Sequence, residues 1–439
     1  MREAFDDNRS IWLSGKPPYE SAPPLGRDIV LDVAIIGGGF TGVSTAYHLS
    51  KRYPDRGIAI LEARVIANGA SGRNGGQMLN WVQGVDNRDL DQAKKIYAIT
   101  QEGIEGIVSL IGEHHLEVPH RRDGHLDVFT SNESAEAGQA EVERLRTAGL
   151  PLRFLDVREL RDYIELEGAT GAVLDPGGGQ LDGVAFLRGL RPILESRGVR
   201  VYESTPVTRV REGSTVELET PRGRVRARAV VLATNAYTPH LGYFRNVLVP
   251  LLSHVVATDR QEEPTWRTLG WKKASGFTDD RGRLSYGTLA SSGQLLFGGG
   301  SNESYDYVYA NGTRLPSVPP RAFEACRRHL ESYLPRLKGV PLVHRWSGPV
   351  ALTMSRLCTM GARGAHQNIY FALGYSGHGV TLANLAGRVL TDVYGGQGER
   401  WQGYPFYQQK LRFIPPEPFR WLGYHLYTRL TGRSPRSRK

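Results

Sequence analysis

The residues best placed to do chemistry in this chain are glycines. Gly37, Gly39 and Gly42 stand in the spacing G-x-G-x-x-G, with Phe40 and Thr41 inside it. The motif directly follows the β-branched run Ile29 to Ile36 and directly precedes a helical pattern of Val43, Ala46, Tyr47 and Leu49. Each glycine has a separate mechanical role. Gly37 permits the tight turn, Gly39 lets a pyrophosphate approach the backbone, and Gly42 lets helix and strand pack closely. A diphosphate there meets free N–H groups at the positive end of the helix dipole. Glu62, twenty residues past Gly42 at the end of the short run Ile58 to Leu61, can accept both ribose hydroxyls of an adenosine; Ala63 and Arg64 follow it. Strand, glycines, helix, strand and acid in register predict a dinucleotide site, and the acid argues against NADP. NAD and FAD both remain open at this point.

Three further segments bear on that choice. Gly69 to Gln77 carries Ser71, Arg73, Asn74, Gly75, Gly76 and Gln77 in a loop suited to a flat, phosphate-bearing ligand. Gly374, Tyr375, Gly377, His378, Gly379 and Val380 follow the buried run 369–373 and open a helix. That second helix N-terminus could face the same ligand and stabilise negative charge on the N1/C2=O edge of a reduced flavin. Ala233 and Thr234 end a buried strand at small residues, as backbone passing close to a cofactor would. No second G-x-G-x-x-G follows a strand, so a separate NAD(P)H domain is not expected.

The elements that must position these residues fit a soluble chain of two or three domains, 40% hydrophobic and 23% charged over 439 residues. Glycine is in excess, 52 residues against an average near ~7%. The formal charge of +10 is uneven: residues 410–439 hold eight basic residues and one acid, so the body is nearly balanced and nucleic-acid binding is not expected. Two cysteines, Cys326 and Cys358, build neither a disulfide framework nor a zinc site, and a reducing, cytoplasmic location is the default. The start has no secretory pattern, and no run approaches the length that crosses a bilayer. The histidines at 114, 115, 120 and 125 match no ligand spacing, so no metal is expected. Residues 1–28, with two Pro-Pro pairs, read as an extended arm on a domain surface; 95–165 read as mainly amphipathic helix with polar linkers; 250–345 read as sheet-rich.

Together the Gly37–Gly42 motif with Glu62, the Ala70–Gln77 loop, Ala233-Thr234-Asn235-Ala236, Trp346-Ser347-Gly348 and Gly374–Gly379 resemble FAD-dependent oxidoreductases of the D-amino-acid oxidase (DAO) superfamily, in its gamma-glutamylputrescine oxidoreductase-like group, over roughly residues 8 to 430. The resemblance implies an α/β fold: a discontinuous Rossmann-like FAD-binding domain (29–90, 180–245 and 345–400) with an inserted α+β substrate domain of mixed sheet (91–179 and 246–344), and a tail from 401 to 439. By similarity Val207 holds the adenine through its backbone, Asn74, Gly75 and Gly76 line the isoalloxazine, and Gly377 to Val380 reach its pyrimidine edge. Where the sarcosine oxidase branch has a cysteine that ties the flavin, this chain has Gly348, so the FAD is expected to be non-covalent. The lysine that branch places over the flavin has no counterpart in 294–298, which leaves O2 or a quinone or other carrier open as acceptor.

The implied reaction is oxidation of a primary or secondary amine, with a gamma-glutamylated polyamine as a fitting substrate, to an imine that hydrolyses to a carbonyl. A small amino acid, such as a D-amino acid, glycine or sarcosine, is the rival substrate; an arginine placed to clasp its carboxylate would favour it. A non-catalytic flavin subunit of a membrane-docked complex is a third reading. Candidate residues at the flavin are His378, Tyr375, Trp346, His254 and Tyr286. Beyond Pro418, Phe419, Leu422, Leu426 and Leu430 recur at helical spacing between arginines, a basic amphipathic helix that fits either the enzyme's own body or an anionic membrane.

Overall fold

The computed structural model describes residues 6–14, 18–312 and 316–431. Its first sheet is built on Ile29–Ile36, whose second half, Val33 to Ile36, is buried on both faces while Val30 is exposed. Ile58–Leu61 and Arg200–Tyr202 extend it in parallel on one flank, and the second half of Gly223–Leu232 followed by Ile369–Leu373 extends it in parallel on the other. An antiparallel meander of Val216–Thr220 and Arg209–Arg211 pairs with the start of Gly223–Leu232, and on that same flank Thr359–Arg363 pairs antiparallel with Ile369–Leu373. Phe40–Arg52 and Gly379–Tyr394 cross in direct contact, where a Cβ on Gly387 would lie 2.2 Å from Ser44 Oγ.

The second, larger sheet is mixed. Its order is Asp6–Asp7, Leu342–Leu352, Val249–Thr258, Leu295–Gly299, Ser285–Leu289, Gly276–Asp279, His125–Phe129, Gly171–Asp175 and Arg153–Leu155, with Tyr305–Tyr307 also paired to Val249–Thr258. Its core holds Trp266, Trp271, Phe277, Phe297 and Tyr333, the last from the helix Pro320–Tyr333. The expected split of the chain differs from this arrangement in two places. The boundary at 345 falls inside Leu342–Leu352, and Leu90–Glu113 packs on Gly379–Tyr394 through Gly103, whose missing side chain admits Thr381. Within the stretch read as mainly helical, His125–Phe129 and Arg153–Leu155 are strands, the first with Leu126 and Val128 turned inward.

The N-terminal arm is not a surface layer. Ile11 and Trp12 are buried in the main core, and hydrogen bonds tie the arm to the 69–77 loop: Ser10 Oγ to Gly72 O (2.5 Å), Trp12 Nε1 to Asn74 O (2.8 Å), and Arg73 to Asn8 O (2.9 Å) and Asn8 Oδ1 (3.1 Å). Further along, the fully buried carboxylate of Glu203 accepts from Tyr19 Oη (3.0 Å), Ala22 N (2.6 Å) and Ile66 N (2.5 Å). Glu203→Gln keeps the shape but turns an NH2 donor toward backbone donors. It is expected to lower stability by about 2 kcal/mol, read from denaturant midpoints.

Candidate functional site

Ile29–Ile36 ends at Gly37, whose φ of +107° is open to glycine and whose Cβ would lie 2.8 Å from Ala233 O. Gly39 caps the helix Phe40–Arg52 with no side-chain acceptor, and a Cβ there would reach within 2.7 Å of Ser71 Oγ. A Cβ on Gly42 would lie 1.9 Å from Gly37 O. The second helix, Gly379–Tyr394, starts from His378, again without a side-chain cap. A 2.7 Å bond between Thr41 Oγ1 and Tyr375 Oη ties the two helix starts together across 334 residues of sequence. Two positive helix ends therefore open on one cavity of about 1150 Å³. Beside the glycine turn, Glu62 accepts from Gly38 N (2.7 Å) and Arg64 N (2.9 Å).

Every residue expected at the cofactor lines this cavity except Gly42, Gly76 and Gly374, which act from behind it. Gly76, at φ +71°, abuts Leu181 O and Trp12 and so shapes the loop, and Gly374, at φ +78°, abuts Thr353. Arg73 reaches the cavity, but its guanidinium is engaged with carbonyls of Asn68, Asn8 and Ser347, so it braces the loop. Asn74 does likewise, donating to Ala70 O and Ser71 O and accepting from Gly76 N. Neither cysteine is among the lining residues, nor is any lysine.

Of the five candidates at the reacting end, the structure brings three to the cavity. His378 and Tyr286 line it, and Tyr375 lines it with its hydroxyl committed to Thr41. Trp346 and His254 do not. Trp346 is fully buried with its indole N–H on Arg73 O (2.9 Å). Leu251 and Ser253 line the cavity, so strand alternation turns His254 to the other face, where Nδ1 meets Ser347 Oγ (2.9 Å) and Nε2 meets Asp306 Oδ2 (3.0 Å).

The large sheet also delivers residues that sequence reasoning did not single out. Arg283 is 6% exposed and lines the cavity beside Tyr305, its guanidinium 5.3 Å from that ring. Its Nε donates to Asn302 Oδ1, and a terminal nitrogen donates to Tyr424 Oη (3.2 Å) on the C-terminal helix. Ser253, Thr278 and Arg356 line it as well, with Ser253 Oγ 3.3 Å from Tyr286 Oη. The only sequence cue was the polar and aromatic alternation around Arg283 and Tyr286 in an apolar sheet.

Glu62 is the one acid among the lining residues; burial pushes its carboxyl up while the N–H groups of Arg64 and Gly38 hold it down. Burial raises the phenols of Tyr286 and Tyr375 and brings Tyr305 up to about 12. It pushes His378 down to about 4, so this imidazole is neutral at pH 7, and its Nδ1 finds no partner among the described residues. The reacting end is thus a wall of neutral rings with arginine as its charge.

His48 and His125 are also held near 4 by burial, against about 6.5 in an unfolded chain. Between pH 6.5 and 4 the unfolded chain binds protons that the native one excludes, so stability falls as pH falls through that window. Thermal melts are expected to drop from pH 7 to pH 5. His125→Gln should shallow that decline, and an unchanged slope would contradict the neutral imidazole.

Glycine turn, helix start and Glu62 together fit a dinucleotide: the cradle is closed to side chains where a diphosphate would lie, and the carboxylate at the end of the next strand lines the same cavity. Residues 32–393 match the family described as FAD dependent oxidoreductase (DAO). The chain is 32% identical over 409 residues to gamma-glutamylputrescine oxidoreductase of Escherichia coli, covering 90% of this chain and 91% of that protein. It is 25% identical to sarcosine oxidase subunit beta of Rhizobium meliloti, over 74% of each chain. In fold it is similar to glycine oxidase from Geobacillus kaustophilus, with a TM-score of 0.74 and 21% identity over 88% of this chain and 99% of that one.

Proposed function

The chain belongs to the DAO family of FAD-dependent oxidoreductases, and on that premise we propose that its substrate is an amine carrying a carboxylate some bonds away, of the gamma-glutamylputrescine kind. Family membership makes it an enzyme that oxidises amine or amino-acid C–N bonds with FAD as cofactor. When bound, FAD supplies the acceptor for the two electrons and the hydrogen that leave the carbon next to nitrogen. The glycine turn and the start of Phe40–Arg52 would hold its diphosphate, Glu62 its ribose, and Gly377 to Val380 with Asn74 and Gly75 its ring system.

The observation that carries the substrate reading is Arg283, buried in a cavity wall with no acid other than Glu62 among its lining residues. A guanidinium there recognises a carboxylate, and the same positive wall disfavours a protonated amine, so the substrate nitrogen is held in the neutral form from which a hydride can leave. His378, Tyr286 and Tyr305, all uncharged, exclude water and leave that balance undisturbed. The free diamine putrescine would bring two cations into this wall and nothing for Arg283. Gamma-glutamylation turns one amine into an amide and adds an alpha-amino-acid end, so it supplies a carboxylate for Arg283 and lowers the net positive charge. The imine product then takes up water and yields a carbonyl compound and the released amine. A small amino acid also offers a carboxylate to Arg283, yet a volume of about 1150 Å³ exceeds the ~300–1,000 Å³ common for single-ligand sites, which supports cofactor plus an extended substrate.

The test is an anaerobic spectrum of the holoenzyme before and after each of gamma-glutamylputrescine, putrescine, glycine, sarcosine and D-amino acids. Bleaching of the flavin by the first and not by putrescine supports the reading. Bleaching by the small amino acids alone overturns it in favour of the amino-acid rival, and no bleaching by any of them favours the non-catalytic subunit.

A further inference from the structure

The C-terminal helix Phe419–Thr431 is docked the wrong way round for a helix that only covers its own protein. Its buried face is polar: Arg420, Tyr424 and Thr428 are 4–7% exposed. Arg420 donates to Tyr307 Oη (2.7 Å), Glu417 (2.8 Å) and the carbonyls of Arg245 and Leu248 (3.2 and 3.0 Å), and the Tyr424 ring packs against Tyr307 at 5.1 Å, tilted by 40°. Its apolar stripe points outward instead, with Phe419, Leu422, Leu426 and Leu430 between 52% and 76% exposed and Phe413 at 68% just before the helix. A stripe at i, i+3, i+7 and i+11 that is anchored from behind by hydrogen bonds is held out toward something apolar.

We infer that this face docks on an anionic lipid surface. Lys410, Arg412 and Arg429 are exposed on the same segment, and Arg245 is exposed beside it. The sequence continues with Arg433, Arg436, Arg438 and Lys439, which lie outside the described residues. The segment's one acid, Glu417, is turned inward to Arg420, Tyr307 and the amide of Trp421. Apolar residues flanked by cations, with Trp421 at the rim, match an acyl boundary beneath negative headgroups. A second copy of the chain fits poorly, because a self-complementary contact would bring the same cations face to face. At 13 residues the helix spans only about 20 Å, and among the described residues no helix is long and apolar enough to cross a membrane, so it lies in the plane of the interface. Tyr424, on the inward side of the same helix, bonds Arg283, which puts the cavity wall about one helix diameter, ~10 Å, from the docked face.

The experiment floats the holoenzyme with vesicles of equal parts phosphatidylglycerol and phosphatidylcholine, and with vesicles of phosphatidylcholine alone, at low and high salt. The wild type is expected to partition at least about tenfold better to the anionic vesicles, and to lose most of that preference in high salt. The exposed double variant Leu422→Ser/Leu426→Ser should lose binding with the flavin spectrum and melting temperature unchanged. Arg412→Glu/Arg429→Glu, which leaves the stripe intact, should lose the anionic preference. Failure to float, equal partition to both vesicles, or a dimer that Leu422→Ser/Leu426→Ser converts to monomer would overturn the proposal, the last assigning the face to a second copy. None of these readouts depends on which amine the enzyme oxidises.

Discussion

Replacing Arg283 by methionine is expected to lower kcat/KM for the carboxylate-bearing substrate by about 100-fold or more, mostly through KM. The guanidinium sits 6% exposed in the cavity wall, fixed by Asn302 and by Tyr424 from the C-terminal helix, so it meets a ligand already oriented and largely desolvated. Losing one partner of a buried, hydrogen-bonded charge pair costs about 2–5 kcal/mol, which is where a factor of ~30 to several thousand comes from. Methionine preserves length and apolar volume, so the wall should not collapse. A simple amine without a carboxylate serves as internal control: its kcat/KM should change little. Arg283→Lys should restore charge without the planar fork and recover only part of the loss. Equal losses on both substrates would assign Arg283 to the architecture of the cavity and remove it from recognition.

Gly42→Ala is expected to weaken FAD binding by about 100-fold and to yield protein purified largely as apoenzyme. The added carbon would stand 1.9 Å from Gly37 O, a backbone atom of the turn that would cradle the diphosphate. Gly37 cannot retreat, since its own approach to Ala233 O is already closed to a Cβ. Relief therefore comes from parting the helix start from the strand. Overpacking of this kind costs roughly 1–3 kcal/mol, and its upper end corresponds to the predicted shift in Kd. The control is Gly106→Ala, at a half-buried helix position with nothing within 4 Å of the added carbon, which should keep full FAD content and gain slightly in stability. Wild-type affinity in Gly42→Ala would contradict the close-packing role of that glycine.

How much was legible in the sequence depended on whether a residue's place is set locally. Gly37, Gly39, Gly42 and Glu62 could be placed because strand, turn, helix and strand follow one another within a single βαβ unit, whose handedness and spacing leave little choice. Gly377 to Val380 could be placed for the same reason, each being read from a strand that runs directly into a helix. Arg283 and Tyr305 could not: Tyr305 reaches the cavity by pairing with the distant Ser253, and Arg283 stands in the bend before Ser285–Leu289, where no period marks its direction. His254 illustrates the ambiguity: Val249–Thr258 is buried on both faces, so no alternation marks which side chains see the cavity. Trp346 was misplaced by its size; a buried indole needs one acceptor, and Arg73 O supplies it away from the ligand. For the C-terminal helix the period was readable and the docking face was not. The usual inference puts the apolar stripe inward, and Arg420 with its four oxygen partners reverses it.

The cradle also has a calendar. Its walls come from residues near 37–42, 62–71, 204–208, 233–241 and 375–383, and the loop between them is held by Asn8, Ser10 and Trp12 at one end of the chain and by Ser347 near the other. A ribosome delivers the second helix start some 335 residues after the glycine turn, which at ~5–20 residues per second is a wait of roughly 17–67 s. Until then the turn faces solvent with half of its site unmade. Capture of FAD therefore waits for both helix starts, and the cofactor acts as a late seal on the fold, closing together what synthesis produced far apart in time.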